Sequence, residues 1–369
     1  MQDSENLHEN FMRRAISLAG RGLGHVSPNP VVGAVVVKKG RVVGYGYHLY
    51  EARDHAEVIA LERAGVQAKG ATLYVNMEPC AHHGRTPPCV DRIVESGIKK
   101  VFVAVRDPYR HGSLRGIPRL RRQQIDVDLG LCSERATRQN EVFLHFAVTT
   151  RPFVLLKLAL TLDGRIATSS GDSQWITQAN ARQMVHRIRY HYDAILVGSK
   201  TVLQDDPALD VRWNRRVRNK ITKVILDSRL RTPEQAKLFA SSDRVIIFHS
   251  RRAAKKRLVA LAKKAELIRI SERDGLLQWD RILDHLGHLK ITSVVIEGGA
   301  RVAASALQAQ AVQKINFFYG PKIIGSSGQP GIGDLGIDQL REAVNLEKTR
   351  VFTSHSLRPD FMVEGYLKG

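Results

Sequence analysis

The chain of 369 residues is predicted to be an α/β protein built from two consecutive domains. Three observations predict this. The N-terminal part reads as a hairpin followed by alternating helix and strand patterns. A second alternating series starts after the turn Thr149-Thr150-Arg151-Pro152. No internal repeat or long low-complexity linker interrupts either series. The expected domains are therefore 1–149 and 150–369. Hydrophobic residues make up 43% of the chain and charged residues 25%, so either half can bury its own core.

Taken in order, Glu9 to Gly22 places Phe11, Met12, Ala15, Ile16 and Ala19 at helical spacing. Ser27-Pro28-Asn29-Pro30 is a turn. Val31 to Val37 and Arg41 to Tyr47 are strands joined at Lys39-Gly40. Asp54 to Ala64 is helical and stops at Gly65; Ala71 to Asn76 is a strand. Pro88 to Ser96 is a helix with Pro near its start and Gly97 after its end. Lys100 to Val105 is a strand, Leu114 to Gln124 a helix and Ile125 to Leu129 a strand. In the second half, strands are expected at Phe153 to Leu158, Ala194 to Val197, Lys223 to Leu226, Arg244 to Phe248, Ser293 to Ile296 and Lys314 to Phe318. Helices are expected at Asn180 to Tyr190, Arg252 to Ala265, Leu276 to Leu286 and Arg301 to Ala309, and loops at 170–173 and 325–333.

No run of apolar residues is long enough for a membrane span, and the polar start of the chain lacks a signal-peptide pattern, so a cytoplasmic protein without a membrane partner is expected. Three cysteines, Cys80, Cys89 and Cys132, argue against a disulfide framework. Cys132 reads as a small buried or turn residue. The net charge of +21 favours anionic partners. Its basic clusters lack interleaved aromatics, and aromatics are only 6% of the chain, so solvated surface is preferred to a nucleic-acid site.

The most specific motif is His55-Ala56-Glu57 followed by Glu78-Pro79-Cys80-Ala81-His82-His83-Gly84-Arg85-Thr86-Pro87-Pro88-Cys89. One imidazole and two thiolates, His55, Cys80 and Cys89, are a common set for catalytic zinc, which keeps a fourth position open for water. Glu57 lies near the start of the same helix as His55 and is placed to move protons rather than to bind metal. This is the signature of zinc-dependent nucleobase deaminases. A closed structural zinc knot using His82 or His83 is the competing reading, and the His-x-Glu pair disfavours it. Nucleic-acid deaminases place two residues between the cysteines; here there are eight, and the insertion is polar and basic. Such residues suit a substrate phosphate.

With these motifs the chain resembles the bifunctional deaminase–reductases of bacterial riboflavin biosynthesis. The resemblance also rests on Ser27-Pro28-Asn29-Pro30-Val31-Val32-Gly33, Arg151-Pro152-Phe153, Leu162-Asp163-Gly164-Arg165, Ser173-Gln174-Trp175-Ile176-Thr177 and Thr201-Val202-Leu203-Gln204-Asp205-Asp206-Pro207. It implies a cytidine-deaminase-like three-layer domain followed by a dihydrofolate-reductase-like α/β domain. It further implies one Zn2+ per deaminase site and hydrolytic deamination of a diaminopyrimidinone ribosyl phosphate with release of ammonia. NADPH-dependent reduction of the ribosyl group to ribityl then follows. Asn29, His48, His82 and Arg85 fall in the implied deaminase pocket. Tyr109 and Arg115 depart from the Asn and Lys usual in the family, which bears on substrate recognition rather than on hydrolysis.

Without the resemblance the second half is less explicit. It has no Gly-x-Gly-x-x-Gly fingerprint. Glu297-Gly298-Gly299-Ala300 follows an apolar strand and leads into a helix, which fits either a phosphate-binding turn or a tight turn alone. Trp175 by itself reads as core. The resemblance assigns NADPH contacts to Ala159, Trp175, Thr201, Asp205, Ser228 and the run Gly299, Ala300, Arg301, Val302, Ala303, Ala304 and Ser305. It assigns substrate contacts to Ser173, Arg189, Leu209, Arg212 and Glu297, with Arg189 and Arg212 suited to the ribose phosphate. Lys157 and Asp205 are candidates to position or protonate the opening sugar imine. The expected partner is a small phosphorylated pyrimidine rather than nucleic acid, and the expected assembly is a homo-oligomer. A zinc deaminase of tRNA with an accessory domain, and a non-catalytic zinc-stabilised nucleotide-binding protein, are the alternatives.

Overall fold

The computed structural model describes residues 2–51, 54–83, 87–108, 115–213, 221–354 and 356–368. The chain divides into two compact units, Met1–Thr150 and Arg151–Gly369.

In the first unit the elements are α1 (Gln2–Ala19), β1 (Gly33–Lys38), β2 (Arg41–Tyr47), α2 (Ala56–Ala64), β3 (Thr72–Met77), α3 (Cys89–Glu95), β4 (Lys100–Val105), α4 (Gly116–Arg122), β5 (Asp126–Leu129), α5 (Ser133–Gln139) and α6 (Glu141–Thr149). The strands form one sheet in the order β2-β1-β3-β4-β5. β1 is antiparallel to β2 and β3, whereas β3, β4 and β5 run parallel. Alternation along β1 explains the layering. Ala34 and Val36 join a core with Ala56, Ala60, Val90, Ile93, Ile117 and Leu120 of α2, α3 and α4. Val35 and Val37 join a second core with Met12, Ala15, Ile16 and Ala136 of α1 and α5. Both sheet faces are therefore covered by helices. α2 lies against the sheet because Gly46 has no side chain: a Cβ there would sit 2.3 Å from the Ala56 carbonyl oxygen.

In the second unit the elements are β6 (Phe153–Thr161), β7 (Arg165–Ala167), α7 (Ala179–His191), β8 (Ala194–Gly198), α8 (Ser199–Asp205), β9 (Thr222–Leu226), β10 (Val245–His249), α9 (Lys255–Leu261), β11 (Glu266–Arg269), β12 (Glu272–Arg273), β13 (Leu276–Leu277), α10 (Trp279–His288), β14 (Ser293–Ile296), α11 (Ala300–Gln308), β15 (Lys314–Gly320), β16 (Gln329–Pro330), β17 (Leu346–Phe352) and β18 (Phe361–Leu367). Nine strands make the main sheet, in the order β11-β10-β9-β8-β14-β6-β15-β18-β17. The run from β11 to β15 is parallel, and β18 and β17 add antiparallel. Strands buried on both faces read as continuous apolar runs, as Phe153 to Leu156 and Ala194 to Val197 do. On one face Leu156, Leu196, Val224 and Ile246 pack with Ile282 and Leu286 of α10 and Ala303 and Leu307 of α11. On the other, Leu155, Ile195, Ile225 and Ile247 pack with Val202 of α8 and Leu261 of α9.

Several expected bounds shift. The first helix starts at Gln2 and gives way to a 3-10 turn at Gly20–Gly22. His55 has an extended backbone (φ −77°, ψ 161°), so its helix begins at Ala56. The helix expected over 252–265 is confined to Lys255–Leu261, because Glu266–Arg269 is drawn into the sheet as an edge strand paired with β10. The helix expected from Leu276 starts at Trp279 instead. Leu276 and Leu277 pair with Glu272 and Arg273 across Asp274-Gly275, whose φ values of 52° and 73° suit a two-residue hairpin turn. The helices α5, α6 and α8 and the strands β17 and β18 were not expected from sequence. Cys132 occupies a left-handed turn position before α5.

Candidate functional site

In the first unit three sequence distances collapse into one cluster. The strand β3 ends at Met77 and delivers Cys80 on the following turn; Cys89 is the first residue of α3; His55 is the residue before α2. His55 Nδ1 lies 3.1 Å from Cys89 Sγ and 3.5 Å from Cys80 Sγ. The three ligand atoms all lie within 4.8 Å of one another. Tetrahedral zinc with ordinary bond lengths would separate nitrogen from sulfur by about 3.6 Å, so the donor spacing and the donor chemistry both fit the ion. The trio already favours a thiolate. A hydrogen bond with Cys89 draws the Cys80 thiol down to about 4, burial opposing it. The bond to Cys80 raises the His55 imidazole to about 9. Hydrogen bonding to Cys80 and burial push Cys89 well up.

Glu57 stands in the first turn of α2 and is only 3% exposed. Burial raises its carboxyl to about 7, helped by the Cys80 charge. Its Oε2 is buried with no hydrogen-bond partner. A buried carboxylate oxygen left unpaired is costly unless a ligand satisfies it, which marks the side facing the metal ligands as a place for water or substrate.

The expected pocket residues divide. The His48 ring lies 5.2 Å from that of His55, and Asn29 Nδ2 approaches His48 Nε2 at 3.4 Å, so both stand beside the metal ligands. His82 is exposed on the loop after Cys80, and Arg115 precedes α4. Arg85 and Tyr109 lie outside the described residues. Sequence reasoning did not single out Glu78. Its two carboxylate oxygens accept from the backbone N–H of Ile117 (2.9 Å) and of Asp107 (3.3 Å), tying α4 and the end of β4 to the Cys80 turn. Gly116 allows this approach, since a Cβ there would meet the Pro79 carbonyl oxygen at 2.0 Å. A glutamate directly before Pro-Cys was the available signal.

The second unit holds a cleft of about 1520 Å³ at the ends of the parallel strands, lined by residues from β6, α7, β8, α8, β9, the turn after β14 and α11. Of the expected nucleotide contacts, Ala159, Trp175, Thr201, Asp205, Ser228, Gly299, Ala300, Arg301, Val302, Ala304 and Ser305 line it. Ala303 does not: it is fully buried in the apolar core, because a helix cannot turn every residue of a consecutive run toward one ligand. Trp175 is 57% exposed at the cleft, against its reading as core, with the Arg182 guanidinium 4.3 Å from its ring centroid. Gly298 and Gly299, with φ of 155° and 70°, shape the turn from β14 into α11, and a Cβ at Gly298 would press on Thr201 Oγ1 at 2.9 Å. The expected substrate contacts Ser173, Arg189, Leu209, Arg212 and Glu297 and the candidate Lys157 line the same cleft.

The charges in the cleft are strongly coupled. Arg189 Nε and Nη2 donate to the Glu297 carboxylate at 2.6 and 3.0 Å, and its Nη1 donates to the Asp210 carbonyl at 2.9 Å. Arg189 thus grips a protein carboxylate, where sequence reasoning gave it a phosphate. Lys157 Nζ lies 3.7 Å from Glu297 Oε2. Burial would raise Glu297, but Arg189 and Lys157 overcome it and hold the carboxyl at about 2. Burial pulls Lys157 down, with Glu297 opposing. Burial also raises Asp205. Arg212 is more open: its side chain is 70% exposed, with its Nε 3.4 Å from an Asp210 carboxylate oxygen. His186, Arg229 and Arg231 also line the cleft and were missed. His186 stands three residues before Arg189, on the same face of α7, which was the available signal.

Residues 5–105 match the family model described as the cytidine and deoxycytidylate deaminase zinc-binding region, and residues 152–356 match the RibD C-terminal domain. The chain is 42% identical over 345 residues to the riboflavin biosynthesis protein RibD of Aquifex aeolicus, covering 94% of this chain and 95% of that one. It is 39% identical to the RibD of Actinobacillus pleuropneumoniae, covering 96% and 94%. Among solved structures it is similar to a diaminohydroxyphosphoribosylaminopyrimidine deaminase/5-amino-6-(5-phosphoribosylamino)uracil reductase from Thermotoga maritima. That match has a TM-score of 0.85 and 38% identity, and covers 99% of this chain and 100% of that one.

Proposed function

The chain belongs to the RibD family of bifunctional riboflavin-biosynthesis enzymes, a zinc deaminase joined to an NADPH-dependent reductase, and from that premise we propose which residues carry each reaction. Residues 1–149 form the deaminase and 150–369 the reductase. The observation that carries the deaminase assignment is the buried, unpartnered Glu57 Oε2 beside the His55, Cys80 and Cys89 cluster.

His55, Cys80 and Cys89 would hold one Zn2+, which supplies the Lewis acidity that makes water a nucleophile near neutral pH. Glu57 accepts one proton from the attacking water and passes it to the ring nitrogen, then takes the second proton from the added hydroxyl and passes it to the departing amino group, which leaves as ammonia. A carboxyl raised to about 7 by burial is poised to exchange a proton in both directions. Asn29 and His48 line the pyrimidine side. Glu78 keeps the Cys80 turn in place through two backbone N–H groups.

In the reductase NADPH supplies the hydride that converts the ribosyl group to ribityl. The turn Gly298-Gly299 and the first turn of α11 are the residues that would hold its phosphates, by their backbone N–H groups. Glu297, held ionised by Arg189 and Lys157, faces the cleft beside that turn and orients the sugar. Lys157 and Asp205 are the groups placed to protonate the opening ring. Arg212, with its exposed guanidinium, binds the ribose phosphate, and Arg189 acts by holding Glu297 and the 209–212 loop.

The substrate is a small phosphorylated pyrimidine. We infer a cytoplasmic protein, since Cys80 and Cys89 are free thiols, as zinc ligands in a reducing compartment would be, and a homo-oligomer. β17 leaves an open sheet edge carrying Val351, 60% exposed, as a pairing surface. Glu57→Gln tests the deaminase assignment. Ammonia release should fall by about 10²–10⁴ with zinc content unchanged; a variant that keeps full turnover removes Glu57 from the mechanism.

A further inference from the structure

One cleft residue has a task that none of these assignments covers. His186 lies on α7, one turn before Arg189, and is half buried. Its Nδ1 accepts a hydrogen bond from the backbone N–H of Arg212 at 3.2 Å. Three residues along the helix, Arg189 Nη1 donates to the carbonyl of Asp210 at 2.9 Å. Directly before Asp210, Leu209 takes a left-handed conformation (φ 49°), a shape that a non-glycine residue adopts only where its surroundings enforce it. Two polar side chains of one helix thus hold the short Leu209–Arg212 loop by its Asp210 carbonyl and its Arg212 N–H. At its end stands Arg212, whose guanidinium is left largely exposed at the cleft.

We propose that His186 is a positioning residue for the reductase: by accepting from the Arg212 N–H it fixes the Leu209–Arg212 loop so that the Arg212 guanidinium meets the phosphate of the substrate. The inference rests on reading Arg212 as the phosphate contact. Its chemistry is consistent. Burial, then the neighbouring Arg189 and Arg212 charges, lower the His186 imidazole to about 4. The ring is therefore neutral at physiological pH, and Nδ1 has a lone pair to accept with, leaving the proton on Nε2. An imidazolium would have no acceptor and would repel both arginines.

Two polar variants separate this role from mere packing. His186→Asn places its amide oxygen near the position of Nδ1. His186→Gln carries its acceptor one bond further out, near Nε2. With the deaminated ribosyl phosphate as substrate, His186→Gln should raise KM by roughly tenfold, the upper end of what losing one hydrogen bond costs. Its kcat should stay within about threefold, and its NADPH Kd, read by quenching of protein fluorescence, should be unchanged. His186→Asn should stay within about threefold of the parent KM. With the dephosphorylated nucleoside as substrate, the two variants and the parent should be alike. Equal losses in the two variants, or a loss that is the same with and without the phosphate, would overturn the role of His186. A parent enzyme with no preference for the phosphorylated substrate would instead overturn the reading of Arg212, and a parent that oxidises no NADPH would overturn the reductase assignment itself.

Discussion

At the scale of single residues, chemistry is set by what burial leaves unsatisfied. Glu57 has no partner for one oxygen and no water-filled surroundings to ionise in, so its proton affinity rises toward neutrality. Cys80, by contrast, is drawn down by Cys89 and His55 and is ready to bind a cation. Cys80→Ser should therefore abolish zinc retention, measured as metal content after gel filtration, and deaminase turnover with it. In the second unit Glu297 is the residue most dependent on its partners. Its carboxyl is held at about 2, well below the ordinary glutamate range. The group therefore contributes stability above about pH 4.5, and that contribution disappears as pH falls toward 2. Thermal unfolding of the reductase unit should show a loss of Tm from pH 5 to pH 3 that is much smaller in Glu297→Gln. The mutant should be less stable at pH 7, because Arg189 and Lys157 are left buried without their carboxylate.

At the scale of elements, the metal site is an outcome of backbone packing. α2 brings His55 and Glu57 because Gly46 lets it lie on β2, and α4 closes on the Pro79 carbonyl because residue 116 has no side chain. Gly116→Ala should cost about 1–3 kcal/mol by overpacking, lower the Tm by several degrees, and reduce bound zinc below one per chain, read together by calorimetry and metal analysis. The motif around the site was legible because metal chemistry restricts residue type and spacing: His55, Glu57, Cys80 and Cys89 were named from sequence and the three ligands meet in space. Long apolar strands were legible for the same reason, since burial on both faces leaves a continuous run. What escaped was set by pairing across distance. β17 and β18 exist because they extend the sheet beyond β15, and the β12–β13 hairpin overrode the helical spacing of Leu276 and Leu277. The family resemblance marked the run Gly299 to Ser305 as a ligand turn, where the residues alone fitted a tight turn equally, and only the helix geometry tells that Ala303 faces the core.

At the scale of the whole molecule, one chain carries two chemistries that share no residue. The zinc cluster and Glu57 belong to the unit that ends at Thr150, and the cleft with Lys157, Arg189 and Glu297 to the unit that begins at Arg151. The two steps should therefore be separable by point mutation in the intact chain. The most direct measurement supplies the diaminopyrimidinone ribosyl phosphate together with NADPH, and follows ammonia and NADPH absorbance at the same time. The parent protein should release one ammonia for each NADPH oxidised. Glu57→Gln should release almost none and oxidise no NADPH, yet regain parental NADPH oxidation when given the deaminated intermediate. Ammonia release at the parental rate by Glu57→Gln, or its failure to reduce the supplied intermediate, would contradict the account.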